Sequence, residues 1–533
     1  MKIKLLRTPS FDVQFKNRPL TCSILPPLGI ATLTSYIKTI GMDVEQDDLN
    51  IKTHNFNKNP KNENKIDFSI FLNKKRIKNY ITGGNDEYLE ETLSKIADKT
   101  NFKNVDVLGL SIHDNLTDVP MLITLSLARY LKEKYEFSIV IGSEIPDLVL
   151  ETFKIGGRLN IIDYAIVGEG QIGLHKLLNN IEVGKKLSDV PNLLYYENGK
   201  IIENKSIMDN NFYLPCFDGL PIKEYTVEQP IKNYKIDNLP KNKVLILPYR
   251  FIKGCPNKCI FCPSSTQKRL IALPPEKVAD DIETLRKKYK CRYFYFLNAT
   301  INISEIYVNK LCDEINKHDI DIRWTDSARL NHLNKKTLLN MKKSGVVRLV
   351  FGLETGSPRM LNYIQKNLTI DEAQKNLKLS HRMDIWNCVE IIIGLPHENE
   401  IDAKKTINFI NKNSESIDTI FMHPFNLRPS ELLKNPFRYG ITNVQRIMKW
   451  SNRGKEPLNK RLVRYRFDEI GGLKWNEKRK KTNIMWKTAH DSVNKKMRFI
   501  SHFEKMPLLF YLYDIFNNKK NVREIYEIVK NSY

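Results

Sequence analysis

Twice along the 533-residue chain, short apolar runs alternate with segments whose apolar residues recur at helical spacing. Strands separated by helices cannot pair as hairpins, so the pattern predicts parallel sheets covered by helices. The first series fills roughly the first 180 residues. "KIKLL" reads as a strand, "PPLGIATLTSYIKTIGM" as a helix and "DVEQDD" as a second strand. Strands follow at "VDVLGLSIH", "FSIVIGS" and "DYAIVGEG", with helices at "VPMLITLSLARYLKEK" and "QIGLHKLLNNI". A doubly wound, Rossmann-like sheet is expected over residues 1–184, with a polar insertion of one or two helices at about 50–104. Residues 185–242 read as a connector with short strands and Pro-rich turns. From "KVLILPYRFIKG" a second series gives six strand–helix units across 243–425. That is short of the ~250 residues of an eightfold barrel and fits an open, partial (β/α)6 barrel. Residues 426–533 read as a smaller, mostly helical C-terminal domain. Both sheet types place ligands beyond the C-terminal ends of their strands.

Composition narrows the setting. No run of about 18 uncharged apolar residues occurs, so no membrane span is predicted. "MKIKLLRTPSFDVQF" lacks the pattern of a signal peptide, and a cytoplasmic protein is expected. Its eight cysteines are then reduced and available for metal or catalytic roles. The net charge of +24 is uneven: residues 431–533 hold 24 Lys and Arg against 10 Asp and Glu. A basic C-terminal part suits an anionic partner. The whole chain is Lys-rich, however, and a solvated basic surface is the favoured reading.

Three of the cysteines share one short stretch, "GCPNKCIFCPSS", as Cys255, Cys259 and Cys262. This stretch follows the first strand of the second series, where an exposed ligand site belongs. A structural zinc site takes four protein ligands, and a [4Fe–4S] cluster is normally held by four thiolates. Here there are three, and Cys291 lies beside the next strand. A cubane on three thiolates leaves one iron open to a substrate; a zinc knuckle is the alternative.

With Phe261 before the third cysteine, the spacing C-x3-C-x-aromatic-C resembles the radical S-adenosylmethionine (SAM) superfamily. The resemblance implies that the open iron chelates the amino and carboxylate groups of SAM. One electron then cleaves the sulfonium to give a 5′-deoxyadenosyl radical. It further implies SAM contacts from Phe261, from Glu354 in "FGLETGS", from Arg329 in "WTDSARL" and from Gly394 in "IIIGLPHE". The Gly-Gly-Glu common on the second strand is replaced by "FLNATIN", so Asn298 is the candidate there.

The first domain, placed before such a barrel, resembles the cobalamin-binding subclass. The resemblance assigns cobalamin contacts to Pro27, Leu28, Gly29, Ser111, Gly142, Glu144, Gly168, Glu169 and Gly170. Small residues at strand ends let backbone approach a macrocycle. The D-x-H-x-x-G string that carries a lower cobalt ligand is absent, and His113 reads as a polar contact.

The cofactors implied are a [4Fe–4S] cluster, SAM and cobalamin. The expected reaction is a cobalamin-dependent C-methylation at an unactivated carbon. Radical cyclisation, oxidation or rearrangement without methyl transfer is the alternative. A flavodoxin- or ferredoxin-type electron donor and a small-molecule or peptide substrate are expected partners. By the same resemblance, the RNA-methylthiolating subgroup carries three extra N-terminal cysteines and is disfavoured, because residues 1–215 contain only Cys22; the peptide-modifying subgroup with auxiliary clusters is disfavoured, because no cysteine follows Cys388. A binding protein with a structural metal is the reading furthest from these.

Overall fold

The first strands are buried along most of their length, because both sides of the sheet they form are covered. In the computed structural model, the described residues are 1–10, 25–113, 119–228, 242–266, 269–446, 465–493 and 506–530. They fall into two compact units, Met1–Tyr225 and the residues from Thr226 onward. The first unit holds β1 (Lys2–Arg7), α1 (Leu28–Thr39), β2 (Asp43–Asp48), α2 (Leu49–Lys58), α3 (Lys74–Ile81), α4 (Glu87–Ala97) and β3 (Val107–Ser111). It continues with α5 (Val119–Lys132), β4 (Ser138–Ser143), α6 (Pro146–Gly156), β5 (Tyr164–Val167), α7 (Gln171–Val183), β6 (Leu193–Glu197) and β7 (Lys200–Glu203).

The sheet order is β2-β1-β3-β4-β5-β6-β7. The first five strands pair in parallel, and β5–β6 and β6–β7 pair antiparallel. Strand order reverses between β1 and β3, which makes the switch point at which such sheets open a ligand crevice. Ile3, Leu5, Val107, Val140 and Ile166 pack with α1 and α7. Leu6, Leu108, Leu110, Ile139 and Ile141 pack with α2–α6 on the other face. Period-two alternation on a two-sided sheet therefore feeds two cores.

Three features differ from expectation. The 50–104 insertion carries three helices, α2–α4, with a 3-10 turn at Phe68–Leu72. Helix α6 adds a crossover between β4 and β5, signalled by Pro146 at its first turn and by the apolar pair Leu148 and Val149. The hairpin β6–β7, from the stretch expected to connect domains, extends the first sheet instead of standing apart.

The second unit contains β8 (Ile246–Tyr249), α8 (Pro275–Tyr289), β9 (Tyr293–Phe296), α9 (Glu305–Lys317), β10 (Arg323–Ala328), α10 (Lys335–Lys343) and β11 (Val346–Glu354). Then come α11 (Pro358–Tyr363), α12 (Ile370–Arg382), β12 (Trp386–Ile393), α13 (Glu400–Lys412) and β13 (Thr419–Pro424). The six strands lie in sequence order and pair in parallel throughout. Right-handed crossovers between consecutive neighbours put every helix on one side, so the sheet curls as part of a barrel. The other side is the lumen.

The C-terminal region consists of α14 (Glu431–Lys434), a hairpin of β14 (Ile441–Arg446) and β15 (Tyr465–Glu469), and helices α15 (Trp475–Ser492), α16 (Met506–Phe516) and α17 (Lys519–Lys530). It packs on this barrel. Residues Met506 to Tyr513 of α16 are all buried. Asp514 receives hydrogen bonds from Tyr293 and Arg323, residues that open β9 and β10. Asp418 pairs with Lys519 (2.7 Å) and with Arg523. The N-terminal end of the barrel is thereby closed, and part of the basic excess serves internal pairing. Among the described residues no helix is long and apolar enough to cross a membrane.

Candidate active site

The cysteine loop leaves the C-terminal end of β8 and is held by backbone before any ligand is considered. Ile252–Lys253 pairs antiparallel with Ile271–Ala272. Gly254 follows at φ +86, and a Cβ there would lie 2.4 Å from the Arg269 carbonyl. Only glycine fits. Cys255, Cys259 and Cys262 are all free thiols. The Cys262 amide donates to the Cys259 carbonyl at 3.0 Å, which winds the loop into the turn Pro263–Thr266.

Two apolar side chains staple the loop down. Ile260, fully buried, joins Leu427, Leu432, Ile441 and Phe467. Phe261 packs with Met360, Ile364 and Leu395. Burial of such side chains contributes roughly 1.5–3 kcal/mol each. Phe261, expected against SAM, is thus engaged in this packing.

Each strand-end candidate sits at the rim from which the loop springs. Asn298 follows β9, and its side chain serves the protein itself. Its Oδ1 accepts from the amides of Phe251 and Ile252 at 3.1 and 2.9 Å, and its Nδ2 donates to Asp326 at 2.7 Å. Burial drives the Asp326 carboxyl well above the usual carboxylate range, and the Asn298 side chain acts in the opposite sense. Asn298 therefore ties the root of the cysteine loop to β10. Arg329 follows β10. Its guanidinium donates to the carbonyls of Asn302 and Ile303 and, at 3.0 Å, to Oδ1 of Asn257, inside the loop. Burial lowers its pKa, and the thiols of Cys255 and Cys259 act against that shift.

Glu354 ends β11 in a left-handed conformation, φ 68, at an irregularity in the ladder. Its Oε1 lies 2.8 Å from Nζ of Lys366, and both side chains are shielded, at 8% and 12% exposure. The carboxylate expected to meet an ammonium on SAM already holds one from the protein. Gly394, just past β12, has φ +91, and a Cβ there would lie 2.3 Å from the Thr482 side chain. The close approach it permits in the structure is that of Thr482 on α15. Glu398, four residues on, accepts from the amides of Gly394 and Leu395. Burial raises its pKa to about 7.

Burial also pushes Cys259 up to about 11 and Cys262 upward, so these thiols are protonated until metal displaces the protons. The amide and hydroxyl of Ser264 donate to Cys262 and act in the opposite sense. Among the described residues no three His, Cys, Asp or Glu side chains surround one point as a single-ion site would. The three thiols nevertheless lie within electrostatic range of one another. Thiolates that each bind a different iron of a cubane stand further apart than ligands of one ion, so this donor set fits a [4Fe–4S] cluster. Cys291 is no fourth ligand. It precedes β9, at the opposite strand end, and donates to the Leu245 carbonyl.

Sequence reasoning missed Lys366 and Asn257, which no local pattern marks, and two lumen residues. Glu390 on β12 and His423 on β13 keep solvent-accessible surface although protein surrounds them. Burial, with Glu354 adding to it, raises Glu390 to about 7. A carboxyl poised near neutrality inside a barrel can hold or release a proton at working pH.

In the first unit, the expected cobalamin contacts gather at the C-terminal edge of the sheet. Pro27 and Leu28 open α1, and Ser111 ends β3. A Cβ on Gly29 or Gly168 would meet nothing within 4 Å, so both leave open surface. Gly142 faces the Ile166 carbonyl and Gly170 faces Leu33. Glu144 is exposed, and Glu169 accepts from the Asp209 amide. His113, following β3, is held near pKa 3 by burial and by Arg7, and is neutral. Asp114, Asn115 and Cys22 lie outside the described residues.

Residues 249–410 match the radical SAM superfamily model. The chain carries a radical SAM domain. That domain spans all the strand ends just described from β9 to β12, together with the cysteine loop. An uncharacterized methyltransferase of Pyrococcus horikoshii is 30% identical over 255 residues, 47% of this chain and 53% of that protein. An anaerobic magnesium-protoporphyrin IX monomethyl ester cyclase of Rubrivivax gelatinosus is 24% identical, over 51% of each chain. The chain thus spans about half the length of these two curated relatives. Among solved structures, the radical SAM methyltransferase TsrM from Kitasatospora setae, with cobalamin and a [4Fe–4S] cluster bound, matches with a TM-score of 0.63. The match covers 100% of this chain and 99% of that one at 12% identity. The cobalamin-dependent radical SAM enzyme OxsB matches at TM-score 0.54 and 17% identity, over 77% of this chain and 52% of that one. At these identities the likeness is one of fold: a Rossmann-like sheet, a radical SAM domain and a mostly helical end.

Proposed function

We propose that this chain is a radical SAM enzyme that methylates an unactivated carbon with the help of cobalamin. The observation that carries the proposal is the three-thiol loop on the rim of a six-stranded parallel part-barrel, with no fourth thiol beside it among the described residues. The preceding sheet, with its switch point and the open backbone at Gly29 and Gly168, supports the cobalamin part. So does the likeness in fold to TsrM and OxsB, whose structures hold bound cobalamin. When bound, the cluster supplies one electron for reductive cleavage of SAM, and cobalamin carries a methyl group. Cys255, Cys259 and Cys262 would each hold one iron, while Arg329, Asn257 and Asn298 keep the loop in register. Glu390 and His423 line the lumen on the substrate side. The cobalamin would bind residues 1–184, SAM would bind 243–425, and a flavodoxin- or ferredoxin-type protein would supply the electron.

A second reading, radical chemistry without methyl transfer, is favoured by the cyclase relative. Anaerobic reconstitution with iron, sulfide, cobalamin and labelled SAM separates the two. Retained cluster and corrin with release of 5′-deoxyadenosine is the expected result. Retained iron with no corrin rejects the methyltransferase reading and leaves the radical one standing.

A further inference from the structure

Lys366 carries a charge for which the proposed chemistry has no use, yet the fold goes to some length to place it. Its neighbours Gln365 and Asn367 both adopt left-handed backbone, at φ 54 and 51. Such conformations persist in non-glycine residues only where surroundings enforce them. The segment is stitched to the cysteine loop. The Ile260 amide donates to the Ile364 carbonyl at 3.1 Å, and Asn257 Nδ2 to the Lys366 carbonyl at 3.4 Å. The ammonium reaches into the lumen over Gly352, where a Cβ would lie 2.9 Å from Nζ. Any other residue at 352 would force the charge away.

The Lys366 ammonium sits 2.8 Å from the Glu354 carboxylate, with both side chains shielded. Cys259 and Cys262 lie within electrostatic range of both charges. The backbone of Lys366 is tied directly to the cysteine loop. A cluster on three thiolates becomes more negative when it accepts an electron. A fixed cation in shielded surroundings stabilises the reduced form more than the oxidised one.

We propose that Lys366 is a positioning residue for the electron-transfer step, a fixed positive charge that raises the cluster's reduction potential, with Glu354 offsetting part of it. The inference rests on the cluster assignment of the preceding subsection. The electron comes from the flavodoxin- or ferredoxin-type donor, and no proton or bond at Lys366 changes. A consequence concerns SAM. Because Lys366 already holds Glu354, the methionine ammonium does not find that carboxylate free.

The test is an EPR-monitored redox titration of the reconstituted, SAM-free full chain, with iron and sulfide counted in each variant. Lys366→Met should lower the reduced-to-oxidised ratio at a fixed potential at least tenfold, a midpoint shift of about 59 mV for a one-electron couple. Lys366→Arg should retain the greater part of the wild-type value. Glu354→Gln should shift the midpoint the other way, because it removes the offsetting charge. Unchanged midpoints, or shifts of the same sign in Lys366→Met and Glu354→Gln, overturn the proposal. If Lys366→Met fails to hold a cluster, the sign of the Glu354→Gln shift decides alone. Absence of any cluster in the wild-type chain instead rejects the underlying assignment.

Discussion

At the scale of single residues, the site separates ligands from the groups that hold them. Cys255→Ala, Cys259→Ala or Cys262→Ala should each abolish the iron–sulfur absorption and the release of 5′-deoxyadenosine from SAM. Full cleavage activity in any one of them would sink the ligand assignment. Asn298 acts differently. Asn298→Leu strands two buried amides and removes a donor from the buried Asp326 carboxyl. Each unsatisfied group costs about 1–3 kcal/mol. The apo-protein should therefore unfold at clearly lower urea, and cluster loading should fall with it. Unaltered unfolding would return Asn298 to a ligand-only role. Glu398 gives a pH signature. Its folded pKa, about 7, lies above the unfolded value, so the folded state binds more protons between about pH 4.5 and 7. Its contribution is most favourable below that window and is lost as pH rises through it. Glu398→Gln should flatten the fall in melting temperature from pH 5 to 8, an effect of order 1–3 kcal/mol. An identical pH slope in wild type and variant would remove Glu398 as its source.

At the scale of elements, the turn after β12 is shaped by its contact with α15. Thr482 packs where a Gly394 side chain would stand, Lys478 donates to the Leu395 carbonyl, and Glu469 accepts from the His397 amide. Gly394→Ala should cost about 1–3 kcal/mol through overlap and left-handed strain. Adding Thr482→Ala should recover part of that cost, a coupling expected of residues in contact. Strict additivity in a denaturation cycle would show that the two do not touch. The strands β8–β13 and their helices were legible from apolar periodicity, because each repeats one simple unit. Helix α6 was not, since a short segment beside a turn-rich stretch carries weak periodicity; the short strands of β6–β7 were legible, but not their joining of the first sheet, because a strand's partner leaves no mark in its own periodicity.

At the scale of the whole molecule, the C-terminal region closes a barrel end. Met506–Tyr513 are buried, and Asp418 pairs with Lys519 and Arg523. A chain ending at residue 505 should expose the lower barrel, melt well below the full chain and aggregate. An unchanged melting temperature would show that α16 and α17 contribute nothing to the barrel. The basic excess of this region, which by composition alone suits an anionic partner, is partly spent on these internal pairs.

The sequence by itself determined the two alternating α/β series, the three-thiol loop and the rim positions of Asn298, Arg329, Glu354 and Gly394. The series and the loop follow from periodicity and spacing, which are local properties of a chain; the four rim residues were named by resemblance to the radical SAM family. Only the tertiary structure decided what those side chains touch. Glu354 meets Lys366, twelve residues on; Arg329 meets Asn257 across 72 positions; Gly394 meets Thr482 on a C-terminal helix. Partners so distant are chosen by packing and by the need to satisfy buried charge, and neither leaves a mark in the spacing of residues along the chain.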